Sequence, residues 1–154
     1  MIGRRGDARG SLLERVTIDV VGAASLALAA FACGPSTEKT EGDAVLSGVE
    51  KIRAVPSADT SARIRATDDL KAVKASTPEA KKARDACASG YRMLAESNAL
   101  TAGALAEMKD TSTKSDPKSL VERMHRAEDL NEQAETELAK CSDAVATLAS
   151  KPER

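Results

Sequence analysis

The chain offers little with which to do chemistry: three cysteines, Cys33, Cys87 and Cys141, and a single histidine, His125. Two cysteines without histidine partners at ligand spacing do not make a metal site, and His125 stands apart from any recognisable set. Haem attachment needs Cys-x-x-Cys-His and a serine nucleophile needs a Gly-rich elbow; neither occurs. The carboxylates are dispersed over helix faces, whereas acid–base catalysis needs them convergent. The residues thus predict no enzyme, no catalytic site, no cofactor and no metal. What is left for the cysteines is a disulfide or a covalent modification, and the choice depends on compartment.

Compartment is read from the first 32 residues. Arg4, Arg5, Arg9 and Arg15 precede an apolar run from Val20 to Ala32, ending in Ala30-Phe31-Ala32 before Cys33. That run would cover about 20 Å as a helix, short of the ~30 Å hydrocarbon core, so it reads as a signal peptide rather than a permanent span. Leu26-Ala27-Leu28-Ala29-Ala30-Phe31-Ala32-Cys33 resembles the lipobox of bacterial lipoprotein precursors. The resemblance covers only this leader, and Ala30 stands where Leu is usual. It implies that Cys33 receives a diacylglyceryl thioether and becomes the mature N-terminus, which makes the membrane a partner through lipid. In an envelope with two membranes, Gly34 after the lipidated Cys resembles proteins sent to the outer one. Ala30-Phe31-Ala32 also fits an ordinary A-x-A cleavage site, which would release a soluble exported protein. The odd cysteine favours lipid on Cys33, because an even pair then remains for an oxidising compartment. The stretch from Gly34 to Gly42 is polar and without apolar period, so residues 33–42 read as lipidated Cys plus tether and 43–154 as one domain.

The elements that must position Cys87 and Cys141 are helices. With one Phe, one Tyr and no Trp, the core has to be Ala, Leu, Val and Met, which suits close-packed helices better than sheets. Thr77-Pro78-Glu79 and Asp116-Pro117 are helix starts, and residues 110–115 are turn formers, so long helices are expected over about 78–110 and 117–150, each about 50 Å long. On the first, Cys87, Tyr91, Leu94, Asn98, Thr101, Leu105 and Met108 form a heptad stripe; on the second, Leu120, Met124, Ala127, Asn131, Ala134, Leu138, Cys141, Val145 and Leu148 do the same. In an antiparallel hairpin, positions whose numbers sum to about 228 face each other. Cys87 then meets Cys141, Tyr91 meets Leu138, Asn98 meets Asn131 and Met108 meets Leu120. Bridging the two cysteines closes a loop of about 55 residues, worth roughly 4 kcal/mol in the chain-entropy account.

Small residues flank the first stripe at Ala83, Ala88, Gly90, Ala95, Ser97, Ala102 and Ala104, so the apolar face is wider than two helices need. Two weaker helices in 43–76 can cover it: one carries Val45, Val49 and Ile52, and after a break near Pro56 the next carries Ala62, Ala66, Leu70 and Val73. The expectation is an all-α three-helix or uneven four-helix bundle around a long hairpin, with another envelope protein as the competing occupant of the Ala face. Net charge is −1 with both signs interspersed, so there is neither a field for a polyanion nor an aromatic platform for bases, and nucleic acid is excluded as a partner. Lys51 to Arg92 is basic and Glu128 to Asp143 acidic, which reads mainly as two solvated faces. Asn98 and Asn131 read as register-setting polar residues, and His125 as a half-exposed helix residue. Two functions are left. One is an envelope lipoprotein with a structural or protein-interaction role; the other is a periplasmic helical protein binding a small ligand or client. A concave pocket between early and long helices would favour the second, and an exposed apolar stripe the first.

Overall fold

The computed structural model describes residues 36–110 and 116–150. Among them are four α-helices and no strand: α1 Thr37–Ala54, α2 Thr60–Ala72, α3 Pro78–Lys109 and α4 Pro117–Ala149. Local chemistry starts each one. Lys39 donates its N–H to Ser36 Oγ at 3.3 Å, Ala62 to Asp59 Oδ1 at 2.9 Å and Lys118 to Asp116 Oδ1 at 3.2 Å, satisfying donors that a helix start leaves free. Pro78 and Pro117 occupy first helical positions, where the missing N–H costs nothing. The long helices match the expected bounds to within a residue.

The start of α3 is capped from a distance. Thr77 makes no side-chain cap of its own; instead the Glu41 carboxylate on α1 receives the N–H groups of Ser76 and Thr77 at 2.8 and 2.9 Å and their hydroxyls at 2.6 and 3.1 Å. An anion at a helix N-terminus is also favoured by the helix dipole. The Ser76 hydroxyl first, then the N–H groups of Thr77 and Ser76, hold the Glu41 pKa down at about 2. This contact overturns the reading of 37–42 as tether. The polar stretch is helical because Ser36 caps it, Glu41 is anchored on the start of α3, and buried Gly42 lies against Leu148. The domain thus reaches back at least six residues before Asp43.

Helices α3 and α4 are antiparallel and share the most extensive packing. Their contact uses the small residues rather than the expected larger stripe on α3. Ala83, Gly90, Ser97 and Ala104 recur every seventh position and are buried, as are Ala127, Ala134, Cys141 and Leu148 on α4. Two features measure how close the backbones come. A Cβ on Gly90 would sit 2.9 Å from Leu138 Cγ and 3.0 Å from the Leu138 backbone nitrogen. Ser97 Oγ donates to the Ala127 carbonyl across the interface at 2.7 Å. Larger side chains cannot enter so narrow a gap, so they turn to its flank: Leu105 and Met108 are 45% and 54% exposed. Leu138 lies over Gly90, within the expected register, Ser97 meets Ala127 one helical turn away from it, and Cys87 and Cys141 meet as expected.

The two shorter helices fill the base of the hairpin. α1 lies along the furrow between α3 and α4, and its Val45, Val49 and Ile52 join Cys87, Cys141, Ala144 and Leu148 in one core. Its far end is held where Arg53 Nε donates to the Tyr91 hydroxyl at 2.8 Å. α2 packs on α3 and α1 through Leu70 and Thr67, and among the described residues it does not touch α4. Leu70 passes so near α1 that a Cβ on Gly48 would lie 2.8 Å from its Cδ1. Arg63 donates twice to the Val55 carbonyl and Arg84 once to that of Val73, so the ends of α1 and α2 are closed by guanidinium groups. Lys71 pairs with Asp85, and Arg92 with Asp68, across α2 and α3. At the base the wide alanine face is therefore filled from within, as an uneven four-helix bundle.

Two outcomes follow from these contacts. The depressed Glu41 pKa means that its cap stabilises fully above the ordinary value of 4.5 and is lost as pH falls toward about 2. Glu41→Gln should lower Tm at neutral pH, and the gap to the unsubstituted protein should close as melts are taken from pH 7 down to pH 2. Substitution of the two glycines of α3 should diverge in sign. Ala is favoured over Gly in a helix by about 1 kcal/mol, and nothing lies within 4 Å of a Cβ on Gly103, so Gly103→Ala should stabilise. At Gly90 the obstacle includes backbone, overpacking of roughly 1–3 kcal/mol outweighs propensity, and denaturant melts should show Gly90→Ala destabilised.

Candidate functional site

Of the residues singled out for chemistry, the structure brings Cys87 and Cys141 together. They form a disulfide with Cα atoms 4.7 Å apart, inside the range of roughly 4.4–6.8 Å that a bridge demands. Both residues are buried in the core with Val45, Val49 and Leu148 about them, so the bridge acts as a clamp between α3 and α4. Cys33 lies outside the described residues. His125 is an exposed residue of α4, more open than the half-exposure expected, with Nδ1 3.9 Å from Glu128 Oε2. Among the described residues no group of three or more His, Cys, Asp or Glu side chains is placed to hold a metal ion. No described helix is long and apolar enough to cross a membrane.

The remaining candidate is the distal half of the hairpin, beyond the reach of α1 and α2. Helices of 18 and 13 residues cannot cover partners of 32 and 33. Toward the tip a furrow between α3 and α4 is open among the described residues, lined by Asn98, Thr101 and Met108 of α3 and by Leu120, Val121, Met124 and Asn131 of α4. Its open volume is about 620 Å³. Leu105, Met108, Val121 and Met124, between 40% and 54% exposed, are the large apolar residues that the described part of the chain leaves in water, and Met108, Val121 and Met124 line this furrow. Asn98 and Asn131 line the same furrow, as do Met108 and Leu120, so the expected neighbours share one site without closing over it.

Charge is distributed unevenly around this furrow. Glu107 and Arg123 pair across α3 and α4 outside its lining; on its α4 side Glu128 lines it and exposed Glu132 follows one turn on, with Glu135 accepting from Asn131 at 3.1 Å. The stretch from Glu128 to Asp143 is thus a solvated face of α4, as its composition implies. Lys71 of α2 and Arg84 and Arg92 of α3 instead pair locally: the Arg84 guanidinium first, and then the Lys71 ammonium, hold the Asp85 carboxyl below its ordinary range.

A second, smaller recess of about 250 Å³ lies between α2 and α3, lined by Thr67, Asp68, Lys71, Ala88, Ser89 and Arg92. It is below the range of roughly 300–1,000 Å³ usual for small-molecule sites, and its Asp68, Lys71 and Arg92 are engaged in ion pairs. It is too small and too self-satisfied to serve as the ligand pocket weighed above. Sequence reasoning placed Leu105, Met108 and Met124 in the hairpin contact and so missed them as surface. The mismatch in helix length was the signal that could have exposed them, since segment 43–76 is too short to cover both halves. Compared with protein-family models, curated proteins and solved structures, the chain finds no match in any of the three.

The buried clamp leads to a direct test. Cys87→Ser with Cys141→Ser should lower Tm by roughly 10 °C or more, given about 4 kcal/mol of chain-entropy stabilisation, while the helical circular-dichroism signal at low temperature persists. An unchanged melt would mean that the bridge contributes nothing to stability.

Proposed function

We propose that this chain is an exported cell-envelope lipoprotein, anchored by lipid on Cys33 and facing the periplasm or cell exterior, whose hairpin serves protein interaction rather than catalysis. The observation that carries the interaction role is the uncovered apolar furrow formed by Met108, Val121 and Met124. Exposed apolar side chains gathered in a groove with polar groups at its edge are a common form of protein-docking surface. The address rests on the leader and its lipobox-like run Leu26 to Cys33. It is also consistent with the Cys87–Cys141 bridge, because disulfides persist in oxidising compartments and a third, lipidated cysteine leaves an even pair. Gly34 favours the outer membrane where there are two.

The alternative, a periplasmic helical protein binding a small ligand, would need an enclosing pocket between early and long helices. The recess between α2 and α3 is the candidate for it, and its size and paired charges argue against that use. Intact mass of membrane-fraction protein tests the anchor: the mature chain should begin at Cys33 with acyl groups attached, and Cys33→Ala should leave the membrane fraction. An unmodified N-terminus, or Cys33→Ala still sedimenting with membranes, would refute it. In the same cells a photo-crosslinking residue in place of Met124 should give a discrete protein adduct, and one in place of the exposed Asp69 should not. Absence of any adduct at Met124 would refute the interaction role.

A further inference from the structure

We propose that the distal furrow between α3 and α4 is a helix-docking groove whose occupant is an amphipathic helix of another protein, carrying Lys or Arg along one flank of its apolar stripe. The inference rests on the protein-interaction reading above and names the partner's chemistry. Its first support is continuity. At the base of the hairpin the same furrow already holds a helix: α1 lies in it with Val45, Val49 and Ile52 turned inward and with Arg53 tied to Tyr91. Tyr91, Asn98, Thr101 and Met108 stand on one heptad stripe of α3, so the surface that receives the end of α1 continues without a change of face into the uncovered half. From Asn98 to Met108 it runs for about 15 Å, close to three helical turns. The lining alternates apolar walls, Met108 and Met124, with the amide groups of Asn98 and Asn131, and flexible methionines suit a groove that accepts a helix by its i, i+3, i+4 and i+7 positions.

The second support is charge. The α4 rim of the furrow bears exposed carboxylates at Glu128 and Glu132, one turn apart, and Glu135 adjoins it through Asn131. The α3 residues that line the facing wall, Ser97, Asn98, Thr101 and Met108, are uncharged. A docked helix therefore meets negative potential on one side only, which selects a basic flank and sets the direction in which the helix lies.

The test uses the full chain and two synthetic helical peptides of the 18-residue length of α1. Both carry Leu at i, i+3, i+4 and i+7 spacing; one has Lys along a single flank and the other has Glu there. Fluorescence anisotropy at low salt should show the Lys-flanked peptide binding at least about tenfold tighter than the Glu-flanked one, with the difference shrinking as salt is raised. Glu128→Lys with Glu132→Lys should reverse the preference, and Met124→Glu should abolish binding of both. All the substituted positions are on the surface, so circular dichroism and Tm should stay unchanged and certify the fold. Equal affinities, or no binding, would overturn the proposal. So would sedimentation showing that the chain self-associates through Met124, since the occupant would then be a second copy. If the peptides fail while Met124 still crosslinks to a protein in cells, the partner is not a basic helix but the interaction role stands. If the crosslink is absent too, both fall.

Discussion

The distance between α3 and α4 governs the rest of the molecule, and it is set by side chains that are nearly absent. Ala83, Gly90, Ser97 and Ala104 come round every seventh residue, and opposite them lie Ala127, Ala134 and Cys141. Each buries little apolar area, so the hydrophobic term per residue is small. What the pair gains is close approach, with many backbone and Cβ atoms at dispersion distance, near enough for a serine hydroxyl to reach a carbonyl on the facing helix. Residues 36–150 contain one Tyr, no Phe and no Trp, so the core has few other ways to fill space. The same closeness excludes Leu105 and Met108 from the interface, so the exposed surface at the tip and the tight contact beside it have one cause.

Close packing of small residues leaves the hairpin short of stabilisation, and the remedies gather at one end. The disulfide, the Val45–Val49–Ile52 face of α1, the Glu41 cap on α3 and the arginine caps on α1 and α2 all lie in the half that holds the helix ends at Thr37, Pro78 and Ala149. The distal half has the small-residue contact, Ser97 on Ala127 and the Glu107–Arg123 pair. Stability is therefore graded along the hairpin, and the half that is least reinforced is also the one that exposes apolar surface, a common association between low local stability and binding.

Much of this was legible in the residues because it depends on patterns that act locally. Thr77-Pro78 and Asp116-Pro117 announce helix starts whatever the tertiary structure, and two cysteines equidistant from a turn can meet only in one antiparallel register. Val45, Val49 and Ile52 were readable for the same reason, as a period of 3.6 against a polar background. Three things were not legible. Helix over 37–42 depends on Glu41 reaching residues 35 positions further along the chain, which no local window contains. The rotation of α3 from its larger stripe to its smaller one depends on the separation of two helices, which a hydrophobic pattern does not encode; both stripes have the same period and differ only in size. The bare tip depends on comparing the lengths of elements far apart in the chain, which no single stretch of sequence contains.

One consequence of the bridge concerns cutting rather than folding. Cys87 and Cys141 close residues 87–141 into a covalent ring, and the segment joining Lys109 to Pro117 is part of it. Hydrolysis of a single peptide bond in that segment leaves two helices on one molecule, joined through sulfur and aligned by the Ala and Gly contacts that the cut does not touch. The two walls of the furrow would then be connected only near its base, like the arms of tweezers. Such a cut would convert a continuous ring into a hinged pair without releasing either wall, and only reduction would let the pieces part.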